Sequence, residues 1–600
     1  MIRDGLRGIG RWLARPVTHA LFEAFIVLLL AILNPFEIVQ WSEERSHLLW
    51  ERLHAHDYPG ATNDRATVTQ AIGRSAITVI YYDDDSLKRA NQKRPLSLYD
   101  LSNLIQDIRH TSADDGAPLA IFMDMLLTDA NGKATDGNIL IQGVLDPKVE
   151  TDCARRNGPY ASPVQCLVFD IAELTKYETW RDDHWCQINS AAKIDCIRRS
   201  KGIPILVADP ALGDNVAQAP EKPATPLIDA LAQIALTVPV GIEPHKYPLI
   251  SPATAQERRD HRYALYPAAA LYDIWCTHAD KPIAGNGKAI EAAQPCNKKP
   301  ARSQDRLFVW SDAFTEPLDI EWAIQPDPQT MSTGQAAQDQ DWRYLANHAA
   351  CSYASPGFWN AMGRVIRLSF AGIKWSDRPA PCLYTRAYPS DIVQWEGFSP
   401  SLASALFANK LVIIGGQFSD SNDMLATAPF DRMPGVYFHA MALDNLIERG
   451  DQYARQSEQI SEHLSLSMGD LFNLAIFFFI ALMLAIGRKW LNPRHYPRFA
   501  TGGGARIATW HTAIFCLGLA WALIILTCAL WPDARTIWTM KGVPSRFNAV
   551  GATVIVIIGL SELFWAAIAP LRQTAVQRFS LRRIWAFITT SGPIPPSSST

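Results

Sequence analysis

The sequence predicts an extracytoplasmic α/β domain with a partly parallel sheet and a disulfide-rich insertion, together with four transmembrane α-helices. Three observations predict it. Short apolar, β-branched runs alternate with stretches of helical spacing, the pattern of βαβ units. Four apolar stretches reach the ~20 residues that cross a bilayer core. Eight of the ten cysteines fall between the first and second of those stretches.

The elements follow in chain order. Ile77 to Tyr82 is the first buried strand and ends in Asp83-Asp84-Asp85. Leu98, Leu101, Leu104, Ile105 and Ile108 have the spacing of one helix face, and Leu119 to Met123 is the next strand, closing on Asp124. A strand, a helix and a strand at this separation make a βαβ unit. From about 131 to 201 the chain carries four cysteines and many charges, and it reads as the insertion, helical over Ile171 to Trp180. Strands are expected at Ile203 to Val207 and Leu307 to Trp310, and helices at Tyr266 to Trp275 and Phe358 to Phe370. The run QPDPQTMSTGQAAQDQD, 325–341, reads as a surface loop by composition. Leu411 to Ile414 is a fully buried strand ended by Gly415-Gly416, and a polar loop with Asp423 follows. Pro434-Gly435 then turns the chain into an amphipathic helix that stops at Gly450. Residues 451–467 read as a helical stalk.

The apolar stretches are 17–38, 471–487, 509–531 and 549–570, and Lys and Arg set their orientation. Arg3, Arg7, Arg11 and Arg15 precede the first; Arg488, Lys489, Arg494, Arg498 and Arg506 follow the second; Arg572, Arg578, Arg582 and Arg583 follow the fourth. The expected organisation is a cytoplasmic N-terminus (1–16), an anchor (17–38), an external domain (39–467), a three-helix membrane region (468–570) and a short cytoplasmic tail (571–600). Asn34-Pro35-Phe36-Glu37 after the first stretch lacks a small-residue cleavage pattern, which favours an uncleaved anchor. Glu562 is the one acid well inside the fourth stretch, and such groups serve function or pair with a partner helix.

Cys153, Cys166, Cys186, Cys196, Cys276, Cys296, Cys351 and Cys382 lie in the external part. An even number in an oxidising compartment reads as disulfides, and sequence neighbours close the shortest loops. That gives 153–166, 186–196, 276–296 and 351–382. No C-x-x-C pair is present, so a metal site is not expected, nor is a cofactor. Net charge is -3 without a basic stripe, which argues against nucleic acid. The motifs G-x-S-x-G, G-x-x-x-x-G-K-[ST] and H-E-x-x-H are absent, and no catalysis is expected.

Asp83, Asp124 and Asp423 each follow a predicted core strand, and in a parallel sheet such ends share one edge. They are candidates for ligand contact; capping of helices or loops by backbone N–H bonds is the structural alternative. His439, near the start of the last helix, is a candidate contact or proton-sensitive group, against a buried histidine bonded to a nearby loop. Gly415 allows close backbone approach, and Asn445 on the same helix completes the candidate set.

Two blocks carry a family resemblance. Lys410 with LVIIGG, Asp423, Pro429, Pro434-Gly435-Val436, His439-Ala440 and Asp444-Asn445 form one. ITVIYYDDDSL (Ile77 to Leu87), Pro95 and IFMDMLL (Ile121 to Leu127) form the other. Together they resemble the CHASE domain family, type two, extracytoplasmic sensory domains of bacterial cyclases and histidine kinases. The resemblance implies an α/β extracytoplasmic sensory domain at the bacterial inner membrane, periplasmic in its main part. It departs at Tyr81 and Leu98, where the family has an acid and an arginine, which implies an altered pocket. Relatives usually continue into an output domain, for which about thirty residues after 570 leave no room, so the expected partner is a separate signalling protein. A homo-oligomer is compatible with this, and a structural or scaffolding subunit of an envelope complex is the second expectation.

Overall fold

The computed structural model describes residues 58, 72–92, 94, 96–112, 117–125, 148, 151, 153, 162–181, 196–197, 199–209, 226–241, 247–250, 265–278, 314, 317–323, 383–394, 398, 400–418, 424–427, 431–450, 453–454, 459–461 and 466–467. The chain divides into a unit spanning His47–Gln456 and a second made of Met1–Ser46 with Ser457–Thr600.

In the first unit, six strands form one sheet: β1 (Ile77–Tyr82), β2 (Ala120–Asp124), β3 (Ile205–Asp209), β4 (Leu236–Pro239), β5 (Ala387–Pro389) and β6 (Leu411–Gly416). Their order is β4-β3-β2-β6-β1-β5, and every neighbouring pair is parallel. The expected partly parallel sheet is thus parallel throughout. Helices cover both faces, which is why the strands read as continuous apolar runs. Alternate residues serve opposite faces: Phe122 and Ile413 enter one core, and Ile121, Met123, Val412 and Ile414 the other.

The helices in chain order are α1 (Ile72–Ala76), α2 (Asp84–Arg89), α3 (Leu98–Ser112), α4 (Pro163–Leu174), α5 (Tyr177–Trp180), α6 (Pro226–Ile234), α7 (Pro267–His278), α8 (Pro400–Phe407) and α9 (Gly435–Arg449). The second core packs under α3, α4, α6 and α8, and the first under α7 and α9. Between α3 and α4, Ser102 and Gln106 both donate to the buried carboxylate of Asp170, which satisfies a group that is costly to bury alone. Helix α4 starts eight residues before the predicted Ile171, at a capping box in which Ser162 and Gln165 exchange bonds and Pro163 opens the first turn. The stretch expected to be an insertion therefore contains the crossover helix between β2 and β3. A hairpin of β7 (Met424–Thr427) and β8 (Asp431–Pro434) leads from β6 to α9.

Other expectations are corrected or fall outside. Among the described residues no helix is long and apolar enough to cross a membrane. The longest, α3 and α9, have 15 residues each. That spans about 22 Å, short of a ~30 Å hydrocarbon core. The fold class is corrected accordingly: the described residues form a parallel α/β sheet domain and include none of the four expected transmembrane α-helices, and the four apolar stretches named for them lie outside the described residues. Part of the stalk at 451–467 is not helical, because β9 (Gln459–Ser461) pairs antiparallel with β10 (Leu466–Ser467) in the second unit. The strand at 307–310, the loop at 325–341 and the helix at 358–370 lie outside the described residues.

One disulfide is complete among the described residues, Cys153–Cys166, the first expected neighbour pair. Cys196 and Cys276 are also disulfide-bonded. Cys186, Cys296, Cys351 and Cys382 lie outside the described residues. The 153–166 bridge closes a separation of 13 residues. On the chain-entropy account a loop of that size stabilises by ~3 kcal/mol. The double variant Cys153→Ser/Cys166→Ser is expected to lose 2–4 kcal/mol in urea unfolding, in the usual range for such a bridge; an unchanged midpoint would show that the bridge does not restrain the unfolded chain.

Candidate functional site

The topology selects one edge. β6 lies between β1 and β2. The helices that follow β1 and β2 pack on one face of the sheet, whereas α9, which follows β6, packs on the other. A reversal of this kind at strand carboxyl ends opens the crevice in which open parallel α/β sheets bind ligands. Asp124 is the last residue of β2 and pairs in register with Gly415 of β6, so both stand at that point.

His439 reaches Asp124 from the second turn of α9. Its Nε2 faces Asp124 Oδ1 at 3.4 Å, with the imidazole 1% and the carboxylate 14% exposed. The distance is long for a hydrogen bond. On its other side, Nδ1 lies 2.6 Å from the Tyr247 phenol oxygen, which itself accepts the Ala268 backbone N–H at 3.2 Å. Phe122 and Tyr247 stand edge-on to the ring at 5.1 and 5.5 Å. Burial pushes the Tyr247 phenol well above its ordinary range, and the Asp124 charge adds to this against the opposing Ala268 bond. The phenol therefore keeps its proton. A carboxylate only accepts, which assigns the imidazole hydrogen to Nε2, facing Asp124; in the neutral ring Nδ1 then accepts the Tyr247 O–H, whose oxygen also takes the Ala268 N–H. The second carboxylate oxygen, Oδ2, is buried and has no hydrogen-bond partner among the described residues.

Gly415 makes this approach possible. A Cβ there would lie 2.7 Å from the Val436 side chain in the first turn of α9 and 3.4 Å from Asp124 Cβ. Asp83 has a different task. Its carboxylate accepts Ser86 N at 2.6 Å while Ser86 Oγ accepts Asp83 N at 2.9 Å, a capping box that starts α2. Asp423 lies outside the described residues.

Asn445 lies away from the crevice. Its amide donates to Tyr58 Oη at 3.1 Å and to Glu321 O at 3.0 Å, and its oxygen accepts Glu321 N at 2.7 Å. Arg449 holds the Glu321 carboxylate at 2.6 Å, so α9 grips the 317–323 segment by side chain and backbone together. Beside it Tyr58 donates to the buried Asp444 at 2.5 Å. Burial raises the Asp444 carboxyl well above its ordinary range, Glu448 one turn on adds to this, and the Tyr58 bond and Arg74 oppose it. Gly73 permits the contact, because a Cβ would lie 2.7 Å from Asp444 Oδ2. The structure thus brings Asp124, Gly415 and His439 together, and separates Asp83 and Asn445 from them into structural bonds. Tyr247 is the participant that sequence reasoning missed: a lone tyrosine in a stretch without periodicity carries no signal.

The fold and this edge define a parallel, open α/β domain with a topological switch point at β6. The family model for the CHASE2 domain matches residues 310–485, which supports a CHASE-family sensory domain in this chain. The match takes in β5, β6 and α9, hence Gly415, His439 and Asn445; Asp83 and Asp124 come from β1 and β2, outside it. No curated protein and no solved structure matches the chain significantly.

Two outcomes are expected. Gly415→Ala must displace Val436 or α9, at a cost of about 1–3 kcal/mol of overpacking. Gly416→Ala meets only the Phe418 ring at 3.1 Å and is the milder control in the same denaturation series. For Asp444, the folded state retains a proton that the unfolded chain loses at about pH 3.9. Its share of stability is therefore complete below that pH and is lost as pH rises through the raised folded value. Asp444→Asn still accepts from Tyr58 but does not titrate, so its urea midpoint is expected to overtake the wild type as pH rises from 4 to 9. Comparing the two proteins cancels Lys410, whose ammonium burial pulls down to about 8 with Arg386 beside it. Parallel midpoints across the range would remove the assignment.

Proposed function

We propose that this chain is a sensory protein whose α/β domain takes a small molecule or protein at the carboxyl edge of β2 and β6 and signals to a separate partner. The observation that carries the reading is the Asp124–His439 pair, a titratable side chain of α9 set against a strand-end carboxylate at the topological switch point. The CHASE2 match over α9 supports it from a second side. We place the domain outside the cytoplasm, in the periplasm at the bacterial inner membrane, because disulfides such as Cys153–Cys166 persist in oxidising compartments. The reading assigns no catalysis, cofactor or nucleic acid. A ligand shifts such a protein only by binding two of its conformations differently. Helix α9 is the element suited to report this, since one stretch of it lies at the crevice and another grips the 317–323 segment.

A second reading is a non-catalytic structural subunit of an envelope complex. It is favoured by the engagement of Asp83 and Asn445 in internal bonds, which leaves fewer groups for a ligand. The two readings separate on purification of the tagged full chain in mild detergent, with identification of what accompanies it. The sensory reading expects a stoichiometric kinase, cyclase or comparable signalling enzyme whose activity differs between wild type and His439→Gln. Envelope components alone, unchanged by that substitution, would establish the structural reading.

A further inference from the structure

The carboxylate of Asp124 is incompletely compensated. Oδ1 has a single long N–H contact, from His439, and Oδ2, although buried, has no hydrogen-bond partner among the described residues. A buried, unpaired acceptor on a charged group is costly, and native proteins retain one where something else supplies the donor. Two arginines of the segment after β1 have partners of their own. Arg89 holds Asp391 at 2.5 Å, and Arg94 holds Asp84 at 2.8 Å while lying over the Phe418 ring. Gly415, paired in register with Asp124, has no side chain that could supply a donor. A metal ion needs several ligands, and Asp124 offers one unpaired oxygen; a nitrogen cation with directed N–H groups needs only that, and forms the stronger, charge-assisted bond.

We propose that Asp124 Oδ2 is the recognition point for an organic cation, an ammonium or guanidinium group of the ligand, which donates an N–H into this oxygen. The inference rests on the sensory reading of the same edge and names the chemical class of what is sensed. Neutral donors bind there more weakly, and anions are repelled by the carboxylate. Without ligand, Asp124 is a group the fold tolerates for binding, so its neutralisation relieves the free protein.

The test uses the full chain and three probes, ethylammonium, putrescine and ethylguanidinium, with acetamide and acetate as neutral and anionic controls and CaCl2 as the metal arm. Thermal unfolding is followed for wild type, Asp124→Asn and His439→Gln. Expected for the wild type is a saturable rise in Tm with at least one organic cation and none with the controls. Asp124→Asn is expected to unfold at or above the ligand-free wild-type temperature and to bind that cation about tenfold or more weakly, the loss of one charge-assisted bond. His439→Gln keeps the carboxylate and is expected to retain cation binding. A ligand-free Asp124→Asn that is less stable than wild type, or fails to fold, would make Asp124 a structural acceptor and overturn the proposal. So would stabilisation by none of the three cations. Stabilisation by acetamide, acetate or calcium that depends on Asp124 would overturn the cation class and leave the sensory site standing. Binding of any probe equally in wild type and Asp124→Asn would remove both.

Discussion

Everything at this edge depends on the seating of β6 between β1 and β2. Leu411 to Ile414 are fully buried, and β6 makes parallel ladders with strands more than 280 residues before it in sequence. Joining segments so far apart has a closure cost that grows only slowly with length, whereas full burial of each aliphatic side chain contributes ~1.5–3 kcal/mol. A strand made of four such residues and two glycines can therefore close the sheet from a great distance. Once it does, the carboxyl ends of β1, β2 and β6 are adjacent by geometry, and Asp124 and Gly415 become neighbours although neither is near the other in the chain.

That seating explains the uneven legibility of the sequence. β1, β2, β6 and α9 were readable because each is a dense apolar run or a clear helical face bounded by Asp, Gly or Pro. The start of α4 was readable in principle from Ser162-Pro163 with Gln165, but charges and cysteines around it masked the signal. Strand β4 and helix α6 drew no expectation, because β4 is only four residues long and half of it is incompletely buried. Asp124, Gly415 and His439 were chosen from strand ends and a helix start, and they do meet. Asp83 and Asn445 were chosen on the same grounds and serve structural bonds, local for Asp83 and between distant segments for Asn445, since strand-end aspartates and helix asparagines cap and clamp as readily as they bind. Tyr247 shows the limit: its partner is 192 residues away, and only the tertiary fold places it on His439.

Helix α9 carries two polar systems of opposite character. At the β2–β6 edge, His439 faces one oxygen of Asp124 and the other, buried, has no hydrogen-bond partner among the described residues. A turn and more further on, Asp444, Asn445 and Arg449 lie in bonds to Tyr58 and the Glu321 segment. A fully satisfied buried network fixes one arrangement, while a partly satisfied one leaves an acceptor open to a further donor. The same helix is fully bonded toward one end and incompletely bonded near the other.

The hydrogen bonds behind Asp124 all point the same way. Ala268, in the first turn of α7, has a backbone N–H without an intrahelical partner, and it donates to the Tyr247 oxygen. In the neutral ring Tyr247 donates its O–H to His439 Nδ1, and the N–H of Nε2 is turned toward Asp124. Each donor polarises the next, and the series begins at the positive end of a helix dipole. Asp124 thus receives, through two side chains, part of the field that an anion bound directly at the α7 N-terminus would feel. This alignment also means that a donor arriving at Oδ2 changes the demand on every link behind it, as far as the first turn of α7.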